Sequence, residues 1–340
     1  MPPVINENSV EKSKQTTVCA GVVPSNVSEL VLPKSHGIKM PKIQKALNGI
    51  NLIQLPEAET GVSQSESLAK EILSNRSPLR DATKYFRIYS QDEKFSKIIS
   101  LRVDDIRTEI LKNLSKYDPV AVNDKIELRI ESKNQTGGLT FSNYPKLDGV
   151  DNPESLKVNM KIVGFGDVDS LIKSILPHEI THVLLGQICK SEPPRWANEG
   201  LACFNESPDT RKGSRLRVGE NVRKGEALSL RKLFSLYSYP EKALDLTNFY
   251  DHSTVVTEFL IRDKGMKEFV LFIKDVSQAK AKDSSKSFVS LCEEGIRNTY
   301  GYKNLEALED SVLKWVNNQS VIRVIESKNF ENTIPREYFD

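Results

Sequence analysis

The stretch 177-PHEITHVLLG-186 holds two of the chain's four histidines, four residues apart, with a glutamate directly after the first. Positions i and i+4 of an α-helix lie on one face, so His178 and His182 can offer their imidazole nitrogens to one metal ion. Glu179 lies about 100° further round the helix, beside the position that a water ligand would occupy. Pro177 either begins this helix or kinks it. The stretch therefore predicts a helical zinc site with Glu179 as general base.

A catalytic zinc site needs a third protein ligand and keeps a fourth position for water. The first downstream segment that fits is 194-PRWANEGLACFNE-206, whose proline suits the first turn of a helix. Glu199 lies in this segment, 17 positions after His182, which leaves room for a loop and a returning helix. We expect Glu199 to be the third ligand of one Zn2+ per chain. Glu192, in the preceding loop, and Glu206, at the far end of the helix, are the rival carboxylates.

The chain before the histidines divides into a polar leader and a strand-rich region. Residues 1–84 hold scattered apolar residues among polar ones, which predicts a weakly structured leader or pro-segment with one short helix at 66–75. Apolar residues near every 3.6 positions predict one helix at 92–116, and Gly137-Gly138 predicts a turn or bulge. Alternating apolar residues predict strands, at 84–90, 125–131 and 156–165.

After about residue 167 the apolar periodicity is that of helices. These are predicted at 168–189 (one helix or a pair), 195–205, 229–237, 247–263, 265–278, 286–299 and 304–317, with Gly265 and Gly301 as helix stops. The run 211-RKGSRLRVGENVRKG-225 holds six basic residues without interleaved aromatic ones. It is predicted to be part of a solvated loop at 206–228, with a patch that attracts acidic substrates as the alternative.

These patterns predict an α+β fold in three parts. A small α/β subdomain with a short mixed sheet (85–176) is followed by a mainly helical subdomain (177–328), after the leader (1–84) and before a tail (329–340). The candidate zinc site lies where the two subdomains meet.

Composition and charge narrow the classes of partner. The chain has 48 basic and 46 acidic residues, a net charge of +2, which gives no electrostatic case for nucleic acid. No apolar run approaches the ~20 residues of a membrane span, and the first 30 residues lack the apolar core of a signal peptide. We expect a cytoplasmic protein, or an exported one if the precursor begins upstream. The four cysteines are predicted to be buried, and the sequence does not decide whether Cys189 and Cys203 form a disulfide.

HEITH followed by PRWANEGLA resembles the gluzincin class of zinc metallopeptidases. It resembles more closely the bacterial peptidase-MA-like family, in which HExxH precedes a W-x-x-E-G-L-A segment. The resemblance covers about residues 85–325 and implies a zincin-like fold, with His178, His182 and Glu199 as zinc ligands and Glu179 as general base. It implies hydrolysis of a peptide or protein substrate. The glycine-x-methionine-glutamate-asparagine motif of related aminopeptidases is absent, which favours an endopeptidase. A non-catalytic binding or scaffold protein on the same fold is the alternative.

Three further expectations concern the surroundings of the zinc. The segment 247-TNFYDHSTVVTEFL-260 resembles a later helix of the family, and makes Tyr250, ahead of His252, the candidate donor to the oxyanion. Thermolysin-like members place an acid four residues after the ligand glutamate to orient a histidine, whereas this chain has Cys203 there. A substrate is expected to pair with an edge strand, either 156–163 or the strand after Gly137-Gly138. Oligomeric state and peptide preference have no signature in the sequence.

Overall fold

The computed structural model describes residues 16–21, 61–114, 125–147, 150 and 152–318, with 16–21, 61–65 and 154 described by backbone alone. These residues form an α+β fold, as the sequence predicts: one mixed sheet followed by a succession of helices. The predicted tail, 329–340, and most of the predicted leader lie outside the described residues.

Within the described residues the sheet has six strands in the order β1-β5-β6-β4-β3-β2. Their bounds are β1 Thr16–Gly21, β2 Leu79–Ala82, β3 Phe86–Tyr89, β4 Ile126–Glu131, β5 Gly137–Asn143 and β6 Asn159–Phe165. β3, β4 and β6 are mutually parallel, whereas β5 runs antiparallel between β6 and β1, and β2 antiparallel to β3. The three strands predicted from alternation are confirmed as β3, β4 and β6. β1 and β2 belong to the predicted leader, so part of that segment is built into the sheet.

Helices make up most of the described chain, and one of them, α4 (Leu176–Cys189), is fully buried. Their bounds are α1 Gly61–Ser74, α2 Glu93–Ser100, α3 Val103–Asn113, α4 Leu176–Cys189, α5 Arg195–Glu206, α6 Pro208–Lys224, α7 Leu230–Ser235, α8 Ala243–Lys264, α9 Met266–Lys282, α10 Phe288–Tyr300 and α11, residues 305–318. Gly265 (φ 89°) and Gly301 (φ 79°) end α8 and α10, which confirms the two predicted helix stops. No described helix has the length and apolar character that a membrane span requires.

Helix α4, which carries HEITH, is buried at every one of its residues. It continues a helical lead-in, in which a π-helical turn (Leu171–Ile175) precedes the first α-helical residue. Pro177 occupies the first turn of α4, where its missing N–H removes no α-helical hydrogen bond. Ile175 and Leu176 both have α-helical φ and ψ, so Pro177 lies at the change from π-helical to α-helical turns within one continuous helical run and does not begin a separate helix. The disulfide left open by the sequence is not formed, since Cys189 and Cys203 are both free and buried.

The single helix predicted at 92–116 is wrong, because the chain forms two helices with a turn between them. Leu101 lies in that turn and is 67% exposed, and Ile98 on α2 is 45% exposed. The apolar residues therefore do not form one continuous stripe. Each helix instead packs on the core through its own face, with Ile99 buried on α2 and Val103 on α3.

The solvated loop predicted at 206–228 is also wrong, because most of it is helix α6. Ser207 caps this helix by accepting a hydrogen bond from the Thr210 N–H, and Gly225 (φ 72°) ends it. The segment has little apolar periodicity because only Ser214, Val218 and Gly219 are buried. Two of its basic residues instead form ion pairs with α8. Arg215 pairs with Glu258 and Arg217 with Asp251, at 2.5 and 2.6 Å.

Gly137-Gly138 begins strand β5 and is not the predicted turn or bulge. A Cβ atom on Gly138 would lie 2.7 Å from Cγ2 of Ile175 and 2.8 Å from Cγ of Glu179. Glycine is therefore required because the strand passes so close to the helix that carries the histidines. The expectation of a free edge at β6 or β5 is wrong too, because each of these strands has a neighbour on both sides.

Gly200 sets the approach of α5 to α8. A Cβ atom there would lie 2.3 Å from both the Ser253 carbonyl oxygen and Oγ1 of Thr257. We expect Gly200→Ala to lower the free energy of unfolding by about 1–3 kcal/mol, since a backbone atom cannot yield as a flexible side chain does. Urea denaturation measures this change.

Gly213→Ala is the matched control. The added Cβ would approach only the end of the Arg217 side chain, at 3.1 Å. Since alanine favours a helix interior, we expect a gain of up to about 1 kcal/mol. Equal effects of the two substitutions would contradict the tight contact assigned to Gly200.

Candidate metal centre

Helices α4 and α5 bring three potential metal ligands together. His178 and His182 are 2% and 1% exposed, and Glu199 is fully buried. Nε2 of His178 lies 3.4 Å, and Nε2 of His182 3.5 Å, from Oε2 of Glu199. Two ligands bound to a metal ion at about 2.1 Å in tetrahedral geometry are about 3.4 Å apart, so these two separations are those of ligands that share one ion.

The same three atoms lack hydrogen-bond partners. Nε2 of both histidines and Oε2 of Glu199 are buried and accept no hydrogen bond from protein. Buried polar atoms are nearly always satisfied, and a bound metal ion is one of the few explanations for three that converge on one point. The residues thus fit a metal ion, and two imidazoles with one carboxylate are ligands that zinc accepts.

The outer nitrogen of each histidine is held by a hydrogen bond. Nδ1 of His178 donates to Oε1 of Glu206 at 2.7 Å, and Nδ1 of His182 donates to Oδ1 of Asn198 at 2.9 Å. Oε2 of Glu206 accepts from the hydroxyls of Ser174 and Thr210, both at 3.2 Å. These contacts fix the protons on Nδ1 and leave the Nε2 lone pairs facing inward.

Glu206 therefore supplies the orienting acid that the sequence left unassigned at Cys203. It follows Glu199 by seven residues, two turns along the same face of α5, and this spacing was the available signal. As a rival ligand Glu206 is excluded, because it binds the outer nitrogen of His178. The other rival, Glu192, is 39% exposed and pairs with Arg195 at 3.6 Å, away from the histidines.

Sequence reasoning missed a tyrosine that supports Glu199. The Tyr239 hydroxyl donates to Oε1 of Glu199 at 2.5 Å, opposite the oxygen that faces the histidines. The Arg195 guanidinium lies over the Tyr239 ring, 4.5 Å from its centroid. Tyr239 lies in the loop between α7 and α8, and a loop has no apolar periodicity that could indicate which of its side chains face the interior.

Glu179 lies beside the three ligands with one oxygen held and one free. The Thr140 hydroxyl of β5 donates to Oε2 of Glu179 at 2.7 Å, whereas Oε1 is buried without a hydrogen-bond partner. Burial raises the pKa of the Glu179 carboxyl above its usual value, against the opposing charges of His178 and His182. A fixed carboxylate with one unpaired oxygen and a raised pKa is suited to accept a proton.

The titration of the ligands indicates that the cluster stabilises positive charge. Burial lowers the pKa of His178, but the close approach of Cys203, Glu199 and Glu206 outweighs it and holds that pKa well above the ordinary value. Burial raises the pKa of Glu199, yet the charge of His182 and the close approach of both imidazoles keep it well below the ordinary range. A cation at the centre would satisfy both groups.

A second group of ligand types, His178, Cys203 and Glu206, lies on the outer side of the first. Burial raises the pKa of the Cys203 thiol to about 12. The thiol therefore stays protonated at neutral pH and does not offer the thiolate that binds metals. This group supports His178 and is a weaker candidate for metal binding.

The two candidate oxyanion donors lie in different surroundings. The Tyr250 ring stacks on Tyr239, 6.1 Å between centroids, and burial, then the charge of Glu199, raises the Tyr250 pKa well above its ordinary value. Tyr250 is therefore close to the metal ligands. His252 is buried elsewhere, and its Nε2 accepts a hydrogen bond from the Leu228 N–H at 3.3 Å. The histidine behaves as a core residue.

Comparison of the chain with protein-family models, curated proteins and solved structures found no match. The assignment of the site therefore rests on the geometry of the residues themselves.

Removing the carboxylate that orients His178 should weaken metal binding without removing a ligand. For Glu206→Ala we expect zinc affinity to fall about 10–100-fold, the usual effect of losing such a partner. Competition with a chromophoric chelator measures it. Glu192→Ala is the control, and unchanged affinity is expected because Glu192 lies outside the cluster. Equal losses in both variants would show that Glu206 has no special role.

The core position of His252 predicts a pH dependence of stability. Burial lowers its pKa from 6.5 to about 4. Between these values the unfolded chain binds a proton that the folded chain does not. The free energy of unfolding should therefore be highest above pH 6.5 and should fall by about 3 kcal/mol in all as the pH drops toward 4. Below pH 4 this contribution should no longer change. Denaturation midpoints of the wild type and of His252→Gln across this range measure it. Parallel pH profiles of the two proteins would contradict the prediction.

Proposed function

We propose that this chain is a zinc-dependent metallopeptidase with a zincin-like fold, acting as an endopeptidase on peptide or protein substrates. The proposal is carried by one observation. Three buried ligand atoms without partners, on His178, His182 and Glu199, converge beside a carboxylate, Glu179, that has one unpaired oxygen. A purely structural metal site would not need this fourth group. The HEITH and PRWANEGLA segments, which resemble the peptidase-MA-like family, point to the same activity.

The donor set supports zinc as the metal. Two imidazole nitrogens and one carboxylate oxygen are the ligands of many catalytic zinc sites, and three protein ligands leave a fourth position for water. When bound, the ion supplies Lewis acidity, which lowers the pKa of a water ligand toward ~7 and polarises a carbonyl group. The protein contributes the orientation of the imidazoles, through Glu206 and Asn198.

Glu179 is the group that moves the proton. Its Oε2 is fixed by Thr140, so Oε1 is the atom free to accept the proton of the attacking water. The raised pKa of this carboxyl strengthens it as a base. The same oxygen then returns the proton to the amine nitrogen that leaves when the peptide bond breaks.

A phenol supplies the second donor to the substrate's carbonyl oxygen, which gains negative charge during the attack. Tyr250 fits this role, since its high pKa keeps the hydroxyl protonated and able to donate. The hydroxyl of Tyr239 is already engaged with Glu199. His252 is not part of this proposal, because its ring nitrogen is used within the core.

Glu179→Gln tests the mechanism because it keeps the shape of the side chain and removes the base. We expect the variant to retain about one zinc per chain, by elemental mass spectrometry, while hydrolysis of fluorescein-labelled casein falls about 10²–10⁴-fold. Glu192→Gln is the matched control and should keep full activity.

Two outcomes would contradict the proposal. Full activity of Glu179→Gln would exclude it as the base. A second outcome is that the wild type binds zinc, that the His178→Ala/His182→Ala variant does not, and that the wild type hydrolyses no peptide bond. The chain is then a zinc-containing binding or scaffold protein, which is the alternative function. Absence of zinc in the wild type, even after zinc is supplied, would remove the metal site altogether.

A further inference from the structure

Strand β1 lies along the part of β5 that reaches the catalytic carboxylate. It pairs antiparallel with β5 over its whole length, with Cys19 opposite Thr140 and Gly21 opposite Gly138. Thr140 is the residue that hydrogen-bonds Glu179, and Gly138 is a residue at which an added Cβ would collide with the Glu179 side chain. The end of β1 therefore lies one strand spacing, about 4.8 Å, from the stretch of β5 that contacts Glu179.

β1 also lies against helix α4, which carries Glu179 and both histidines. It is contributed by the predicted leader, more than 50 residues before the next strand of the sheet, β2. Without β1, the backbone groups on one side of β5 would form an open sheet edge next to the site. Such an edge pairs readily with any extended peptide.

Under the proposed function an extended substrate pairs with this side of β5, and we propose that residues 16–21 occupy that edge as an internal competitor. The inference rests on the proposed peptidase function and concerns the regulation of the same site. The edge would hold a substrate in extended form through main-chain hydrogen bonds, with its backbone passing Glu179 where β1 passes now. A segment in that place excludes substrate for as long as it stays paired.

The sequence of β1 suits an occupant that can be displaced. TTVCAG has no charged or aromatic residue, so its pairing depends mostly on backbone hydrogen bonds. A substrate segment forms the same bonds with the same edge. The chain then exchanges between a closed state, with β1 paired, and an open state, and only the open state binds substrate.

Val18→Pro/Cys19→Pro in the full chain tests the proposal. Successive N–H groups of a strand point to opposite sides, so one of these two faces β5, and proline removes it. We expect casein hydrolysis to rise at least about tenfold, with zinc content unchanged. A synthetic peptide of residues 14–23, KQTTVCAGVV, should then inhibit the double-proline variant competitively and should affect the wild type much less.

Val18→Thr/Cys19→Ser is the matched control, since it changes both side chains and keeps both N–H groups. We expect its rate of casein hydrolysis to equal that of the wild type. If this control is activated as strongly as the proline variant, the blockade resides in side chains, the Cys19 thiol among them, and not in strand pairing. Equal rates in wild type and proline variant, or no inhibition by the peptide, would also overturn the proposal.

The failure of this inference can be told from the failure of the peptidase function. Equal, Glu179-dependent hydrolysis by the wild type and the proline variant leaves the peptidase standing and overturns only the competition by β1. No hydrolysis by either protein, with zinc bound in both, overturns the function and the inference together. Circular dichroism and zinc content establish that the proline variant has kept its fold.

Discussion

Four side chains that are ordinarily hydrated meet in the interior of this protein: His178, Glu179, His182 and Glu199. An unpaired polar atom in such a place costs about 1–3 kcal/mol, and each of the four carries one. Their outer atoms are not left in this state. Each of the four is held by a hydrogen bond on its outer side: the partners are Glu206 for His178, Asn198 for His182, Tyr239 for Glu199 and Thr140 for Glu179. The cost is thus confined to atoms that face a common centre, where a cation would remove it.

The surrounding packing keeps these atoms in place. Helix α4 is buried on all sides, so the histidines cannot turn outward to water. Gly138 lets β5 approach α4 closely enough for Thr140 to reach Glu179, and Gly200 lets α5 rest against the backbone of α8. The centre therefore combines side chains from a strand and two helices. It forms only when all of them are packed, and a change at either glycine would disturb it without touching a ligand.

The part of the site that helical geometry determines could be predicted from the sequence. His178 and His182 share a face because of their spacing, and Glu199 follows in the next helix. Tyr239 and Thr140 were missed, because a loop and a distant strand place them, and only tertiary packing brings those segments in. Helix α6 was missed for a related reason. Two of its arginines, Arg215 and Arg217, are paired with acids of α8, and a search for apolar periodicity does not detect a helix held by charge.

Strand β1, which has the weakest signal in the sequence, lies at the sheet edge beside the candidate site. Alternating apolar residues predict that β6 is a strand, but they do not show its neighbours, and a free edge was expected there. The partner of β5 proved to be Thr16–Gly21, whose side chains carry no such pattern. Pairing that depends on backbone groups leaves little trace in a sequence. For the same reason it is not specific to that sequence, and the proposed competition at this edge therefore extends to extended peptides of other sequences.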